Sequence, residues 1–244
     1  MLMSEPVTPL YEIPEPDVSH LVTEDDTPVD NFFQDKQQDL LSETLRVSWE
    51  EGRPFLCATD VGIFNEVKEA IVPDVLLSTG VEAPPNFREK NKRSYFVWVF
   101  GKPPDVVIEI VSNRSGGEDT HKLERYAFMR VPYYVIYDPD HLLGQRELRI
   151  YQLTGASYVD KVDRFFPEIG LGLAIWKGEF DGLEELWLRW TNREGQLLET
   201  GLERSLRERE RADSERERAE AEQRKREELE RKLRELGWSP DDPA

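Results

Sequence analysis

The sequence predicts an α/β fold with a mixed central sheet flanked by helices, followed by a long charged C-terminal helix. Short apolar runs separated by Gly, Pro and Asn recur between Phe55 and Leu153 and are typical of strands. Within them, Val106–Asp138 has the order strand, helix, strand, for which a parallel crossover is the economical interpretation. From Leu202 to Leu236 there is no Gly or Pro, and opposite charges recur at helical spacing.

Composition divides the chain into three predicted parts. Residues 1–30 are rich in Pro, Glu, Asp and Thr without sustained periodicity, which predicts a flexible N-terminal arm. The chain is 38% hydrophobic with six Trp, so residues 31–197 can build a core as one domain. Residues 198–244 form the predicted charged helix. Its leucines cluster near its two ends, which allows at most a weak coiled coil, and a homodimer through it or through the domain stays open.

The individual elements follow from periodicity. Asp30 and Asn31 can cap a first helix that runs to Trp49, and Glu118–Arg130 carries apolar side chains at helical spacing. The predicted strands are Phe55–Ala58, Val61–Asn65, Val72–Leu77, Tyr95–Phe100, Val106–Val111, Tyr133–Tyr137 and Leu148–Leu153. Later hairpin strands are predicted at Glu147–Gln152, Ser157–Phe166 and Leu173–Trp176, and Trp187–Trp190 is expected to pair with Gln196–Leu197.

Charge limits the classes of partner. A formal net charge of −18 and a pI near 4.7 oppose unspecific coating of nucleic acid, which depends on Lys and Arg. The segment Asn86–Arg93 is an exception, with four cationic residues against one Glu. It is either a solvated loop or a contact to the nucleic-acid backbone, and the residues that would make this contact are Arg88, Lys90, Lys92 and Arg93.

Cellular location follows from what the chain lacks. No stretch approaches the roughly 18 continuous apolar residues of a membrane span, and Met1 does not begin a basic and then apolar signal. A cytoplasmic protein without membrane contact is therefore predicted. The single cysteine, Cys57, lies in an apolar run and is interpreted as a buried structural thiol.

Glu109 is the most informative candidate for chemistry. On a strand it shares one face with Val107 and Val111 inside an apolar run, so a carboxylate is placed among core side chains. A buried carboxylate requires a metal, a cation or a proton. Mg²⁺ or Mn²⁺ suits such a position, with Asp74 as the preferred second ligand and Asp105 as the alternative.

Phosphodiester hydrolysis also requires a cation that orients water and offsets negative charge. Lys122, near the start of the helix after the Glu109 strand, is the best-placed candidate, although a surface lysine is the competing interpretation. The three histidines, His20, His121 and His141, lack the spacing of a zinc site.

A resemblance rests on Val72-Pro-Asp74, Pro104-Asp-Val-Val-Ile-Glu-Ile-Val-Ser112, Lys122-Leu-Glu-Arg-Tyr126, Val131-Pro132 and Tyr137-Asp-Pro139. Over roughly Asp30–Trp190 the chain resembles the Uma-two family of restriction-endonuclease-like proteins in the PD-(D/E)XK nuclease superfamily. The resemblance implies a restriction-endonuclease-like fold in which Asp74 and Glu109 bind the metal.

The chain departs from the superfamily pattern at one position. The superfamily lysine is expected two residues after the glutamate, where this chain has Val111. The resemblance implies that Lys122 takes its place from the following helix. A further acidic residue on the first helix is also implied, and Glu43 is the residue that could match it.

Two functions from different classes remain at this point. The first is a Mg²⁺-dependent endonuclease acting on nucleic acid, DNA above RNA, with Asp74, Glu109 and Lys122 as catalytic residues. The second is a catalytically inactive nuclease-like domain that acts as an interaction module through its C-terminal helix. A P-loop nucleotide-binding protein is disfavoured, because the segment Ser112–Gly117 lacks the required spacing and terminal Lys-Ser/Thr.

Overall fold

The computed structural model describes residues 31–50, 52–66, 70–86, 88, 92–114 and 116–235, and the predicted N-terminal arm lies outside them. The helices are α1 (Phe32–Ser48), α2 (Val97–Phe100), α3 (His121–Phe128) and α4 (Gly201–Glu235). The strands are β1 (Phe55–Thr59), β2 (Ile63–Phe64), β3 (Val75–Thr79), β4 (Tyr95–Phe96), β5 (Val106–Ile110), β6 (Tyr133–Tyr137), β7 (Leu148–Thr154), β8 (Ser157–Asp160), β9 (Phe165–Phe166), β10 (Leu171–Phe180) and β11 (Leu183–Thr191).

A six-stranded sheet in the order β1-β3-β5-β6-β7-β8 forms the centre of the molecule. Its β5 and β6 strands are parallel and are joined by α3, whereas its other neighbours are antiparallel. The predicted crossover and the predicted mixed sheet are therefore confirmed. A three-stranded sheet, β11-β10-β9, and a two-stranded parallel pair, β2-β4, complete the strand pairing.

α1 begins at a capping box, as the polar residues at its start predict. The Asn31 side chain accepts a hydrogen bond from the Gln34 backbone N–H at 2.9 Å, and the Gln34 side chain accepts from the Asn31 N–H at 3.4 Å. One side of the helix buries its leucines completely, including Leu41 and Leu45. This side packs the helix on the central sheet.

The central sheet has an apolar core on each face. One core joins α1 and the three-stranded sheet to the face that carries Val106, Ile108 and Ile110. The other core packs α3 on the face that carries Val107 and Val111. The alternation predicted for β5 is therefore observed, and Glu109 lies on the α3 face.

Several predicted strands differ from the structure, among them Val61–Asn65, which is reduced to β2, and Ser157–Phe166, which is divided into β8 and β9. β3 begins at Val75 rather than Val72, because Pro73 has no N–H to contribute to the ladder. The predicted strand Tyr95–Phe100 is a two-residue strand followed by α2, since an apolar run without alternation does not distinguish strand from helix. β11 pairs along its length with β10 and meets Leu197 only through one bridge, from Thr191.

α4 is anchored at its first turn and charged along its length. Glu43 accepts a hydrogen bond from the Gly201 N–H at 2.8 Å, and the Arg189 guanidinium binds the Glu203 carboxylate at 2.6 and 2.8 Å. Within the described residues no side chain of this helix is buried. The described helices also include none with the length and apolar character of a membrane span.

Candidate active site

Strand register places the two predicted metal ligands side by side. β3 and β5 are antiparallel, with Val75 opposite Ile108. One step further along the same register, Asp74 lies opposite Glu109, where side chains share a face of the sheet. The Ile110 N–H donates a hydrogen bond to Asp74 Oδ2 at 2.5 Å and holds this carboxylate against β5. The two carboxylates therefore meet at one end of these strands.

Glu109 is 1% exposed and has two hydrogen-bond donors. The Tyr126 hydroxyl donates to Oε1 at 2.6 Å, and Lys122 Nζ donates to Oε2 at 2.9 Å. Burial raises the pKa of Glu109, and the opposing effects of Lys122 and Tyr126 do not cancel this increase. The carboxylate is thus held in place while its charge is only partly compensated.

The negative charge of Asp74 is offset less by its neighbours than that of Glu109. Its pKa lies well above the ordinary value, first because of burial and second because of the negative charge of Glu109. Gln38, from α1, places Nε2 at 3.4 Å from Asp74 Oδ1 and donates to Asp60 Oδ1 at 3.1 Å. Two adjacent carboxylates with raised pKa values favour either a shared proton or a bound cation.

Lys122 extends from the first turn of α3 to the acidic pair. Its Nζ lies between two carboxylates, 2.9 Å from Glu109 Oε2 and 3.3 Å from Glu118 Oε1. Burial lowers the pKa of Lys122, but the negative charges of Glu109 and Glu118 outweigh burial and raise it. The side chain is therefore an ammonium ion at neutral pH and acts as a cation rather than as a base.

Glu118 adds a third carboxylate beside Lys122. The residue is 6% exposed, and its Oε2 atom is buried without a hydrogen-bond partner among the described residues. Its backbone carbonyl accepts a hydrogen bond from the Tyr134 hydroxyl at 2.8 Å. The carboxylates of Glu109 and Glu118 therefore both contact the ammonium group of Lys122.

The alternative second ligand, Asp105, occupies another position. It immediately precedes β5 and lies four residues before Glu109, roughly 13 Å away at strand spacing. Its carboxylate accepts hydrogen bonds from the Thr79 backbone N–H at 2.7 Å and from Lys102 Nζ at 2.6 and 2.8 Å. Asp105 thus connects β3 to the start of β5 and does not adjoin Glu109.

The first helix contributes an amide rather than an acid. Glu43, which the family resemblance suggested, accepts the hydrogen bond of the Gly201 N–H at α4. Gln38 is the α1 residue that contacts Asp74. Gln38 also donates a hydrogen bond to Asp60, which lies in the loop between β1 and β2.

The predicted nucleic-acid-binding residues are described only in part. Arg88 and Arg93 are exposed, Lys92 is partly buried, and Lys90 lies outside the described residues. These residues belong to the segment that leads into β4.

Sequence reasoning missed Tyr126, Gln38 and Glu118 as neighbours of the acidic pair. For Tyr126 a signal was present, because it follows Lys122 by four residues and side chains at this spacing share one face of a helix. Gln38 gave a weaker signal, as one of several polar residues within the apolar stripe of α1.

The described residues were also compared with the arrangement of larger metal sites. No group of three or more His, Cys, Asp and Glu side chains among them has the arrangement of a metal site.

Comparison with known proteins places the chain in a family. The Uma2 (Uma-two) family, described as putative restriction endonucleases, matches residues 14–169, which is more than half of the sequence. Among solved structures, a putative nuclease belonging to DUF820 from Anabaena variabilis is similar, with 18% identity, a TM-score of 0.39, and coverage of 56% of this chain and 71% of that chain. No curated protein matches the sequence. The chain belongs to the Uma2 family of putative restriction endonucleases.

Proposed function

We propose that the chain is a metal-dependent endonuclease of the PD-(D/E)XK type that hydrolyses phosphodiester bonds in nucleic acid, with DNA as the preferred substrate. The observation that supports this proposal is the placement of Lys122 Nζ at 2.9 Å from Glu109, whose strand neighbour is Asp74. Two carboxylates can hold a metal ion and a lysine ammonium can offset developing negative charge, so this set of groups suits metal-assisted hydrolysis.

Asp74 and Glu109 fit Mg²⁺ or Mn²⁺. Magnesium prefers oxygen ligands, keeps several waters and is usually held by one or two carboxylates together with substrate phosphate. Two carboxylates are therefore sufficient as the protein ligands of this ion. Burial raises the pKa of both carboxyl groups, so their ionised forms are costly without a partner, and a divalent cation would stabilise them. When bound, the ion would lower the pKa of a coordinated water and polarise the phosphate.

The remaining residues position these groups. Tyr126 and Lys122 each hold one oxygen of Glu109, and the Ile110 N–H holds Asp74. The Lys122 ammonium can also donate to the attacking water or to a phosphate oxygen, where it would offset negative charge that develops during hydrolysis. Glu118 keeps Lys122 charged and close to the reaction centre.

The cationic segment is the proposed contact to the substrate backbone. Arg88, Lys90, Lys92 and Arg93 would pair with phosphates and overcome locally the net charge of −18. If each of the four residues neutralises one phosphate of duplex DNA, the logarithm of the affinity should fall with the logarithm of salt concentration with a slope of about −3.6.

Self-association through α4 is a separate proposal. Leu202, Leu206 and Leu229 are 70%, 50% and 59% exposed, so apolar surface is available near both ends of the helix. Between Leu206 and Leu229 the helix has no continuous stripe of large apolar residues, so its self-association should be weak. Sedimentation velocity of the full chain against Leu202→Glu/Leu206→Glu should show a concentration-dependent dimer only for the native chain. An unchanged dimer in the double variant would contradict this proposal.

The nuclease proposal is tested by cleavage of supercoiled plasmid and of single-stranded DNA with Mg²⁺ or Mn²⁺. Glu109→Gln and Lys122→Ala should each lower the cleavage rate by about a hundredfold or more. Asp105→Asn and Lys177→Ala are matched controls, because Asp105 is engaged with Lys102 and the Lys177 side chain is 72% exposed. A folded native protein that cuts neither substrate with either metal would contradict the proposal, as would full activity in Glu109→Gln.

A further inference from the structure

Three aromatic side chains form a cluster on the surface near β2 and β4. The rings of Phe64 and Phe96 are stacked with their centroids 5.0 Å apart, and Trp98 follows with its centroid 5.1 Å from that of Phe96. Trp98 is 52% exposed, and its neighbour Val99 is 46% exposed. Exposed apolar groups of this size that lie together commonly mark a binding surface. We call Phe64, Phe96 and Trp98 the aromatic platform.

A short stretch of chain connects the aromatic platform to the acidic pair. Phe64 follows Asp60 by four residues, which limits the separation of their Cα atoms to about 14 Å. The Asp60 N–H donates a hydrogen bond to the Asp74 carbonyl oxygen at 3.3 Å. A strand bound at Asp74 could therefore reach the aromatic platform within a few nucleotides.

Exposed cationic residues precede the aromatic platform in the sequence. Exposed Arg88 and Arg93 precede β4, whose second residue is Phe96, and Trp98 follows in α2. Cations that pair with phosphates beside aromatic rings that stack on bases are the combination found in sites for single-stranded nucleic acid. A duplex does not offer a free base face for such stacking, whereas an unpaired base does.

We propose that Phe64, Phe96 and Trp98 bind unpaired nucleotides by stacking, so that the substrate is single-stranded or locally unpaired nucleic acid. This inference rests on the proposed nuclease function and specifies its substrate class. Contacts to a duplex backbone would not require three aromatic rings that lie together at the surface.

The test is fluorescence anisotropy with labelled oligonucleotides in Ca²⁺, comparing a single strand with a duplex of the same sequence. Trp98→Ala should weaken single-strand binding roughly five- to hundredfold and leave duplex binding nearly unchanged. Trp98→Phe, which keeps an aromatic ring, should restore most of the affinity. Phe128→Ala is the matched control, because Phe128 is an aromatic residue of α3 that is 68% exposed and lies outside the aromatic platform.

The outcomes separate this inference from the nuclease proposal. If the native chain cleaves DNA but Trp98→Ala binds single strands as well as the native chain, the inference is wrong and the nuclease proposal is unaffected. If Trp98→Ala weakens single-strand binding while the native chain cuts nothing, the stacking site is supported and the nuclease proposal fails. Equal weakening for both oligonucleotides, or loss of a protein dimer in Trp98→Ala without nucleic acid, would also overturn the inference.

Discussion

Tyr126→Phe removes one atom from the candidate site and leaves the aromatic ring in place. The Tyr126 hydroxyl donates to Glu109 Oε1 at 2.6 Å and so holds one of the two proposed metal ligands. Loss of a group that orients a metal ligand typically weakens metal affinity about 10- to 100-fold. We therefore expect Mn²⁺ to bind Tyr126→Phe at least tenfold more weakly than the native chain.

Isothermal titration with Mn²⁺ measures this change, and thermal unfolding measures the structural cost. Tyr137→Phe is the control, since it also loses a largely buried hydroxyl, which donates to the Leu186 carbonyl at 2.6 Å. Loss of this hydrogen bond should lower the free energy of unfolding of the control by about 0.5–1.5 kcal/mol. Its melting temperature should therefore fall while its metal affinity stays unchanged. Native Mn²⁺ affinity in folded Tyr126→Phe would refute the role assigned to this hydroxyl.

Two further predictions concern the scaffold. Burial opposes ionisation of Glu203, but hydrogen bonds from Arg189 and from the Thr200 backbone prevail and lower its pKa. Its contribution to stability should be complete above the ordinary glutamate pKa and be lost as pH falls through the lowered value, so the melting temperatures of the native chain and Glu203→Gln should converge as pH falls below the ordinary glutamate pKa. A difference that grows as the medium is acidified would contradict this prediction. Leu41→Ala empties a fully buried position in the core under α1 and should lower the free energy of unfolding by roughly 2–5 kcal/mol in denaturant titrations, whereas a loss below about 1 kcal/mol would contradict close packing there.

Strand alternation made the position of Glu109 predictable from sequence. In Val106–Ile110 every second residue belongs to the same core, so one acidic residue in this run had to face the α3 side. The helix that follows a parallel strand packs back on the sheet, which explains why Lys122 could be expected near Glu109. Local pattern and chain order were sufficient for these two residues.

The partner of Glu109 needed information that a local pattern does not contain. Asp74 and Asp105 both follow a proline at the head of a strand, and only the antiparallel register of β3 on β5 distinguishes their positions. Similarly, Glu43 and Gln38 both lie on α1, and the rotation of this helix decides which of them reaches Asp74. Register and helix rotation are set by packing over the whole domain.

The apolar run Tyr95–Phe100 shows where the periodicity argument fails. All six residues are apolar, so neither period two nor period 3.6 is visible. The chain turns into α2, which ends where Gly101 adopts a φ of 74°, and Trp98 is left largely exposed. An exposed tryptophan within an apolar run could therefore be recognised only from the structure.

The most direct measurement is anomalous diffraction from crystals of the full chain soaked in Mn²⁺. We predict one strong anomalous peak in coordinating contact with a carboxylate oxygen of Asp74 and a carboxylate oxygen of Glu109, with Lys122 still close to the pair. The same soak of Glu109→Gln crystals should lose this peak. A well-ordered native crystal without density between the two carboxylates, or with Mn²⁺ bound only elsewhere, would contradict the proposed metal site.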